Sequence, residues 1–593
     1  MSVNSVREDE VMHDVPKTAT LLRLYRYLFA YKKMLAAVAL LLLVTLFITL
    51  ATPLMIELAI DTYVANSDAA GLCRLAAVGL LLFLVHMVCT RCWMRMMADV
   101  TNKVLLTIRS QLYEHIQTLS FHFFDSRPTG KILARVIGDV NSLKDVLSDS
   151  VTKLLPDLLT VAGVACIMLV KSWRLALAAL LTLPFLVAGM FLIQISAHKL
   201  WQIHRKKNSN LNAFIHESFS GIRIVQSFAA EPERQQDFER CAMEYRDSFI
   251  DAVRIGDTFG ALVEITWGVG GFLLYFIGIR IIGADEIGIG TFLAFSTYLG
   301  MFWSPIRNLS SFYNKIVTNI SAAERIFDIL DTPAEITSLP GSTALPPVKG
   351  EVRFEHVSFA YPDEPDKPVL ENISFTVQPG ETIALVGPTG AGKTTIVSLI
   401  SRFYDVTDGR ICIDGFDTRH VTLESLRRQM GVMTQDTFLF TGTVRENICY
   451  GKSDATEEEM IIAAKAVNAH DFIMKMEHGY DTVISERSSQ LSIGQRQLLA
   501  FARTMLSDPR ILILDEATSS IDTHTELLVQ SGIAAMLQNR TSFIIAHRLS
   551  TIRGASRIFY VDGKQILESG SHEELMAKKG AYYRLYQSQF ECI

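Results

Sequence analysis

The chain changes character near its middle, from long apolar stretches to short mixed ones. Residues 34–56 include no charged side chain, and the run is long enough to cross a hydrocarbon layer of ~30 Å as a helix. Similar blocks at 72–93, 155–170, 175–197, 260–279 and 287–306 predict six membrane-spanning helices, with both ends of the region on one side. The connections at 95–152 and 199–258 are long and rich in Lys and Arg, whereas two of the other loops carry Glu57, Asp61, Asp68, Asp285 and Glu286. Basic residues concentrate on the cytoplasmic side, so the long connections and both chain termini are expected there. Lys171 and Arg174, in the second outer loop, oppose this and are outnumbered.

Within the long connections apolar residues recur at three and four spacing over 100–119, 132–147 and 210–228, so the helices are expected to continue past the membrane. Polar breaks are expected at 125–130 and around 207–210. Residues 331–350 hold Pro333, Pro340, Gly341, Pro346, Pro347 and Gly350, which cannot sustain a helix and read as a linker. The division is therefore a polar and basic segment at 1–33, a membrane domain at 34–330, the linker at 331–350 and a soluble domain at 351–593.

In the soluble domain the apolar run 382–386 leads into GPTGAGKTT, which is Gly387, Pro388, Thr389, Gly390, Ala391, Gly392, Lys393, Thr394 and Thr395, and then into a helical pattern. Strand, glycine-rich turn and helix in that order form a phosphate loop: amides point inward at phosphate oxygens, beside the positive end of the helix. Lys393 adds a charge for the β and γ phosphates, and Thr394 a hydroxyl for Mg²⁺. Three more apolar runs end beside useful groups: 431–433 before Gln435, 511–514 before Asp515 and Glu516, and 542–546 before His547. Open α/β sheets bind ligands beyond the carboxyl ends of their strands, so these residues are expected around one triphosphate. Asp515 suits the metal, Glu516 the attacking water, and His547 the γ-phosphate. Ser492 before a helical pattern offers a second anion site, a capped helix start with amides to spare.

Composition agrees with a membrane protein: 49% apolar and 20% charged residues. A net charge of −6 speaks against a nucleic-acid partner. The eight cysteines are scattered, and the one CxxC, Cys89 and Cys92, sits in an apolar helical stretch and reads as helix packing rather than a metal site. Arg7, Glu8, Asp9 and Glu10 exclude a signal or transit peptide pattern at the N-terminus.

The segments SFHFFDSRPTGKILARVIGDV from Ser120 and NAFIHESFSGIRIVQSF from Asn212 resemble the two intracellular loops of ABC exporters. The soluble half is similar to ABC ATPases throughout: FAY ending at Tyr361, the phosphate loop, VMTQDTFLF with Gln435, LSIGQ from Leu491, ILILDE ending at Glu516, SSID ending at Asp522, and AHR around His547. The segment 486–489 resembles the exporter X-loop. The resemblance implies six membrane helices fused to an α/β P-loop ATPase domain with a helical subdomain. It implies ATP and Mg²⁺ as cofactors, Tyr361 against adenine, Gln435 in catalysis and at the metal with Thr394 and Asp515, and Asp522 as the D-loop acid. It also implies that Ser492, Gly494 and Gln495 close over the ATP of a second half-transporter, in a homodimer or a heterodimer.

Ile493 stands where the family usually has glycine, which points to tolerance or to one poorly hydrolysing site. The expected activity is ATP-driven export of a small amphipathic or lipophilic molecule from a bacterial inner membrane. The alternatives are an ATP-gated channel or sensor, or export of lipid or peptide rather than drugs. His86, Gln194 and Glu264 are polar residues inside membrane segments, where such groups are costly and often functional; an acid at 264 facing a cavity would favour cationic amphiphiles.

Overall fold

The computed structural model describes residues 16–277, 280, 288–434, 437–485, 491–515, 523–546 and 548–590. The chain divides into two compact units, one running to Ile116 and again over Gly130–Asp331, the other combining Gln117–Thr129 with Thr332–Ile593.

The first unit is helical: α1 (Lys17–Phe29), α2 (Lys32–Leu58) and α3 (Ala69–Thr118) precede α4 (Phe121–Asp125), which belongs to the second unit. Then come α5 (Thr129–Ala134), α6 (Val140–Asp149), α7 (Leu155–Lys171), α8 (Trp173–Leu180), α9 (Leu183–Ser220), α10 (Ile222–Ser227), α11 (Glu231–Ile277) and α12 (Ile289–Asp331). Among the described residues four helical stretches are long and apolar enough to cross a membrane: Lys32–Val64, Ala69–Thr118, Thr129–Lys171 and Glu231–Ile277. The expected fourth block is interrupted at Leu181 and Thr182, because Pro184 in the first turn of α9 has no N–H with which to continue α8. The last two residues of the expected fifth, 278 and 279, and the first of the expected sixth, 287, lie outside the described residues.

At 1.5 Å per residue the 50-residue α3 is about 75 Å long, more than twice a hydrocarbon layer, as the periodicity of 100–119 predicts. The break expected around 207–210 is absent: α9 runs through it to Ser220. Asn208, Ser209 and Asn210 are modest helix formers, but α9 lies along α11 here. Lys207 pairs with Glu244 at 2.6 Å, and the buried His204 packs against Trp201, Tyr245 and Phe249. The chain turns instead at Gly221 and over 228–230.

The polar segment before the first apolar block contains the helix α1. Arg23 of α1 lies over the Phe327 ring at 4.3 Å and donates to both oxygens of Asp331 at 2.6 and 2.9 Å, joining α1 to the end of α12. Around α12 the core comprises Val164, Met168, Leu175, Leu186, Phe292, Phe295, Tyr298 and Leu299. Three acids before and within α7 meet α12 in antiparallel order: Asp139 with Arg325, Asp149 with Lys315, and Asp157 with Asn308.

The second unit holds strands β1 (Val352–Phe359), β2 (Leu370–Val377), β3 (Thr382–Val386), β4 (Asp408–Ile413), β5 (Phe416–Asp417), β6 (Met430–Met433), β7 (Gly442–Thr443), β8 (Val483–Ile484), β9 (Ile511–Asp515), β10 (Thr541–Ile545), β11 (Arg557–Asp562) and β12 (Gln565–Gly570). One sheet has the order β12-β11-β3-β10-β9-β6, with only β12 antiparallel to its neighbour; a second has the order β2-β1-β4-β5. Every residue of β3 and β10 is buried, which is why these strands carry no charge and do not alternate apolar with polar positions.

Candidate functional site

The register of the six-stranded sheet builds the site. Leu385 of β3 lies opposite Ile545 of β10, Ile545 opposite Asp515 of β9, and Leu514 of β9 opposite Met433 of β6. The carboxyl ends of these strands are therefore flush, and the phosphate loop and Asp515 leave one edge. Gln435, Glu516, Asp522 and His547, and the segment 486–489, lie outside the described residues.

The loop after β3 takes its shape from glycine. Gly387 has a φ of +147°, and a Cβ there would stand 2.1 Å from the carbonyl oxygen of Val561. Gly392 has a φ of +97° and begins the helix Lys393–Ile400, whose first amides face the loop. Lys393 is buried; its Nζ donates to the carbonyls of Gly387 and Pro388, each at 2.8 Å, so the side chain bridges the turn it follows. Burial pulls its pKa down, against the opposing pull of Asp515. Thr389, Gly390 and Thr394 are exposed at the mouth, whereas Thr395 is buried beneath. The loop residues fit a triphosphate: a turn too tight for a Cβ, a helix start, an ammonium and a free-facing hydroxyl.

Tyr361 donates to or accepts from Thr395 Oγ1 at 3.0 Å, and its ring meets Phe359 and Tyr404 edge-on at 5.0 and 5.3 Å. Tyr404 in turn donates to Asp125 of α4 at 2.6 Å. Burial and that carboxylate push the Tyr404 phenol well above the usual range, so it stays a donor. Phe121 packs on Phe403 at 4.2 Å, and Ser120 donates to Glu335 at 2.8 Å. Sequence reasoning missed Tyr404, Phe403 and Asp125 because no local spacing joins residues so far apart in the chain.

Ser492 caps the helix Ile493–Leu506 in a reciprocal box: Gln495 N–H donates to Ser492 Oγ at 3.2 Å, and Ser492 N–H to Gln495 Oε1 at 3.0 Å. One amide that the sequence reading left open is therefore already satisfied. Gly494 is buried at the first turn, and the Ile493 side chain is exposed. In the helical unit His86 lines a cavity of about 590 Å³ with Thr49, Thr52, Phe83 and Thr297, and Glu264 is exposed on α11. The side chain of Gln194 lies outside the described residues.

Residues 35–306 match the family model of the ABC transporter transmembrane region, and residues 370–519 match that of the ABC transporter. The uncharacterized ABC transporter ATP-binding protein YknV of Bacillus subtilis (strain 168) is 40% identical over 98% of this chain and 96% of its own. The ATP-dependent lipid A-core flippase of Syntrophus aciditrophicus (strain SB) is 38% identical over 92% of this chain and 90% of its own. The solved structure of a bacterial Atm1-family ABC exporter with ATP bound superposes with a TM-score of 0.77 at 28% identity, over 94% of this chain and 98% of that one. The chain belongs to the ABC transporter family, as an exporter-type half-transporter with its ATPase domain at the C-terminal end. It is a membrane protein that binds ATP and couples its hydrolysis to transport.

Proposed function

We propose that this chain is one half of a dimeric exporter that carries a small amphipathic or lipophilic substrate across the cytoplasmic membrane by alternating access, with both termini in the cytoplasm. The loop from Gly387 to Thr395 holds the triphosphate, and Tyr361 lies against adenine. Thr394, Asp515 and Gln435 are the residues that would hold Mg²⁺, which would offset the negative charge of the phosphates. Lys393 offsets charge on the β and γ phosphates, Glu516 orients or deprotonates the attacking water, and His547 contacts the γ-phosphate. Ser492, Gly494 and Gln495 of one subunit close over the ATP of the other, with Asp522 at the joint. ATP binding draws the two ATPase domains together, α4 and its counterpart pass the motion to the membrane helices, and hydrolysis resets them.

What carries this reading is the flush edge of β3, β10, β9 and β6 with a phosphate loop on it, in a chain whose other half is long apolar helix. The 38% identity to a protein named a lipid A-core flippase supports an amphipathic cargo. In proteoliposomes Glu516→Gln is expected to keep ATP binding and to lower hydrolysis roughly a hundred-fold or more, the scale of a lost general base. Undiminished hydrolysis would reject the role of Glu516, and full turnover by a lone monomer would reject the dimer.

A further inference from the structure

We propose that the helical unit contains a head-group site for a zwitterionic amphiphile, one whose head pairs a phosphate with a primary ammonium. The assignment deepens the exporter reading and rests on it for which end of the unit faces the cytoplasm. The site is a cavity of about 410 Å³ between the Asp149–Val161 stretch and α12. It is an open concave surface that combines charged and apolar side chains, the lining that ligand sites use.

Its polar end is made of two parts with opposite charge. Asp149, its side chain only 12% exposed, accepts from Lys153 at 2.9 Å and from Lys315 at 2.8 Å. Two ammoniums on one carboxylate leave this group net positive, and each ammonium has three N–H donors, of which Asp149 takes one. About one helical turn beyond Lys153 and two beyond Asp149, Asp157 accepts from Asn308 at 3.1 Å through a single oxygen. Asn308 is neutral, so this second group stays net negative, and the other oxygen of Asp157 has no hydrogen bond among the described residues. Beyond them the lining turns apolar, with Leu158, Val161 and Phe312.

Helix packing alone would be served by one neutral pair. An anionic ligand would use the lysines only, and a cationic one Asp157 only. Both groups are used by a phosphate and an amine on neighbouring carbons, with acyl chains running along the apolar wall. The amine must carry N–H, because a quaternary ammonium has nothing to donate to Asp157. The position fits too, since the cavity spans the boundary between the charged connection and the apolar part of α7, the depth at which a lipid head lies.

The test is native mass spectrometry of the full-length protein in detergent, without nucleotide, offered equal amounts of phospholipids with ethanolamine, choline and glycerol head groups on the same acyl chains. The wild type is expected to retain the ethanolamine lipid about ten-fold over the other two, the factor of one charge-assisted hydrogen bond. Asp157→Asn, which keeps the bond to Asn308, is expected to erase the preference over the glycerol lipid, and Asp157→Glu to restore it. Lys153→Gln is expected to weaken retention of all three phosphates while Lys315 still holds Asp149. Equal retention of the three lipids by the wild type, or a preference that survives Asp157→Asn, would overturn the site. Wild-type ATP hydrolysis without any head-group preference removes this site and leaves the exporter. A preference without hydrolysis does the reverse.

Discussion

Two segments of this chain that both resemble exporter intracellular loops end up in different situations. The first, 117–129, is clustered with the ATPase unit, and its apolar and acidic side chains have partners there: Phe121 on Phe403, and Asp125 on Tyr404. The second, around α10, stays with the helical unit and leaves its apolar side chains in solvent, with Phe219 71%, Ile224 65% and Phe228 80% exposed. Large apolar side chains exposed together on one short segment point to an interaction surface. In the proposed dimer the second segment is expected to find its cover on the partner subunit.

Breaking the second segment should have the larger effect. Phe219→Asp together with Phe228→Asp is expected to lower ATP hydrolysis by the dimer roughly thirty-fold, the scale of an interface anchor of about 2 kcal/mol. An unchanged rate in proteoliposomes would mean that these rings face nothing. Folding of the ATPase unit should be untouched, since none of its own contacts is removed.

A smaller effect is expected at the first segment. Asp125→Ala removes a hydrogen bond to a charged group, worth about 1.5–3 kcal/mol, so hydrogen exchange over 120–125 should speed up about ten-fold or more. Exchange over 222–227 should not change, and a response in both segments would erase the distinction between them. Because Tyr404 also touches Tyr361, the same variant should raise the KM for ATP more than it lowers kcat. Tyr404→Phe keeps the ring contact and loses only the bond, so its KM should lie between those of the wild type and Asp125→Ala.

The smallest effect belongs to shape alone. Phe121→Leu keeps an apolar contact with Phe403 and gives up its aromatic geometry, which is worth about 0.5–1.5 kcal/mol. Exchange over 120–125 should rise no more than about ten-fold. A larger change would show that Phe121 does more than stack.

Local pattern was enough to determine the elements themselves. The apolar runs 34–56 and 382–386 have no charged residue to suggest any other element, and they appear as α2 and β3. The glycines of the phosphate loop were legible because each meets a constraint in its own neighbourhood of the chain, such as the positive φ at Gly392. The capping role of Ser492 was legible for the same reason, since a cap acts over three residues. Where local preference was weak, the sequence misled: Lys207 to Asn210 read as a break, and packing of α9 on α11 made it helix.

What the tertiary structure alone decided are the meetings of distant residues. Nothing near Tyr404 in sequence announces Asp125, and nothing near Asp157 announces Asn308. The flush strand edge likewise depends on the order β3-β10-β9-β6, which no single run of residues encodes. Secondary structure follows from forces that act over a few residues, so it is written along the chain. A charge pair or a cavity depends on which helices pack together, and that is settled only when the apolar faces of the whole unit are buried at once.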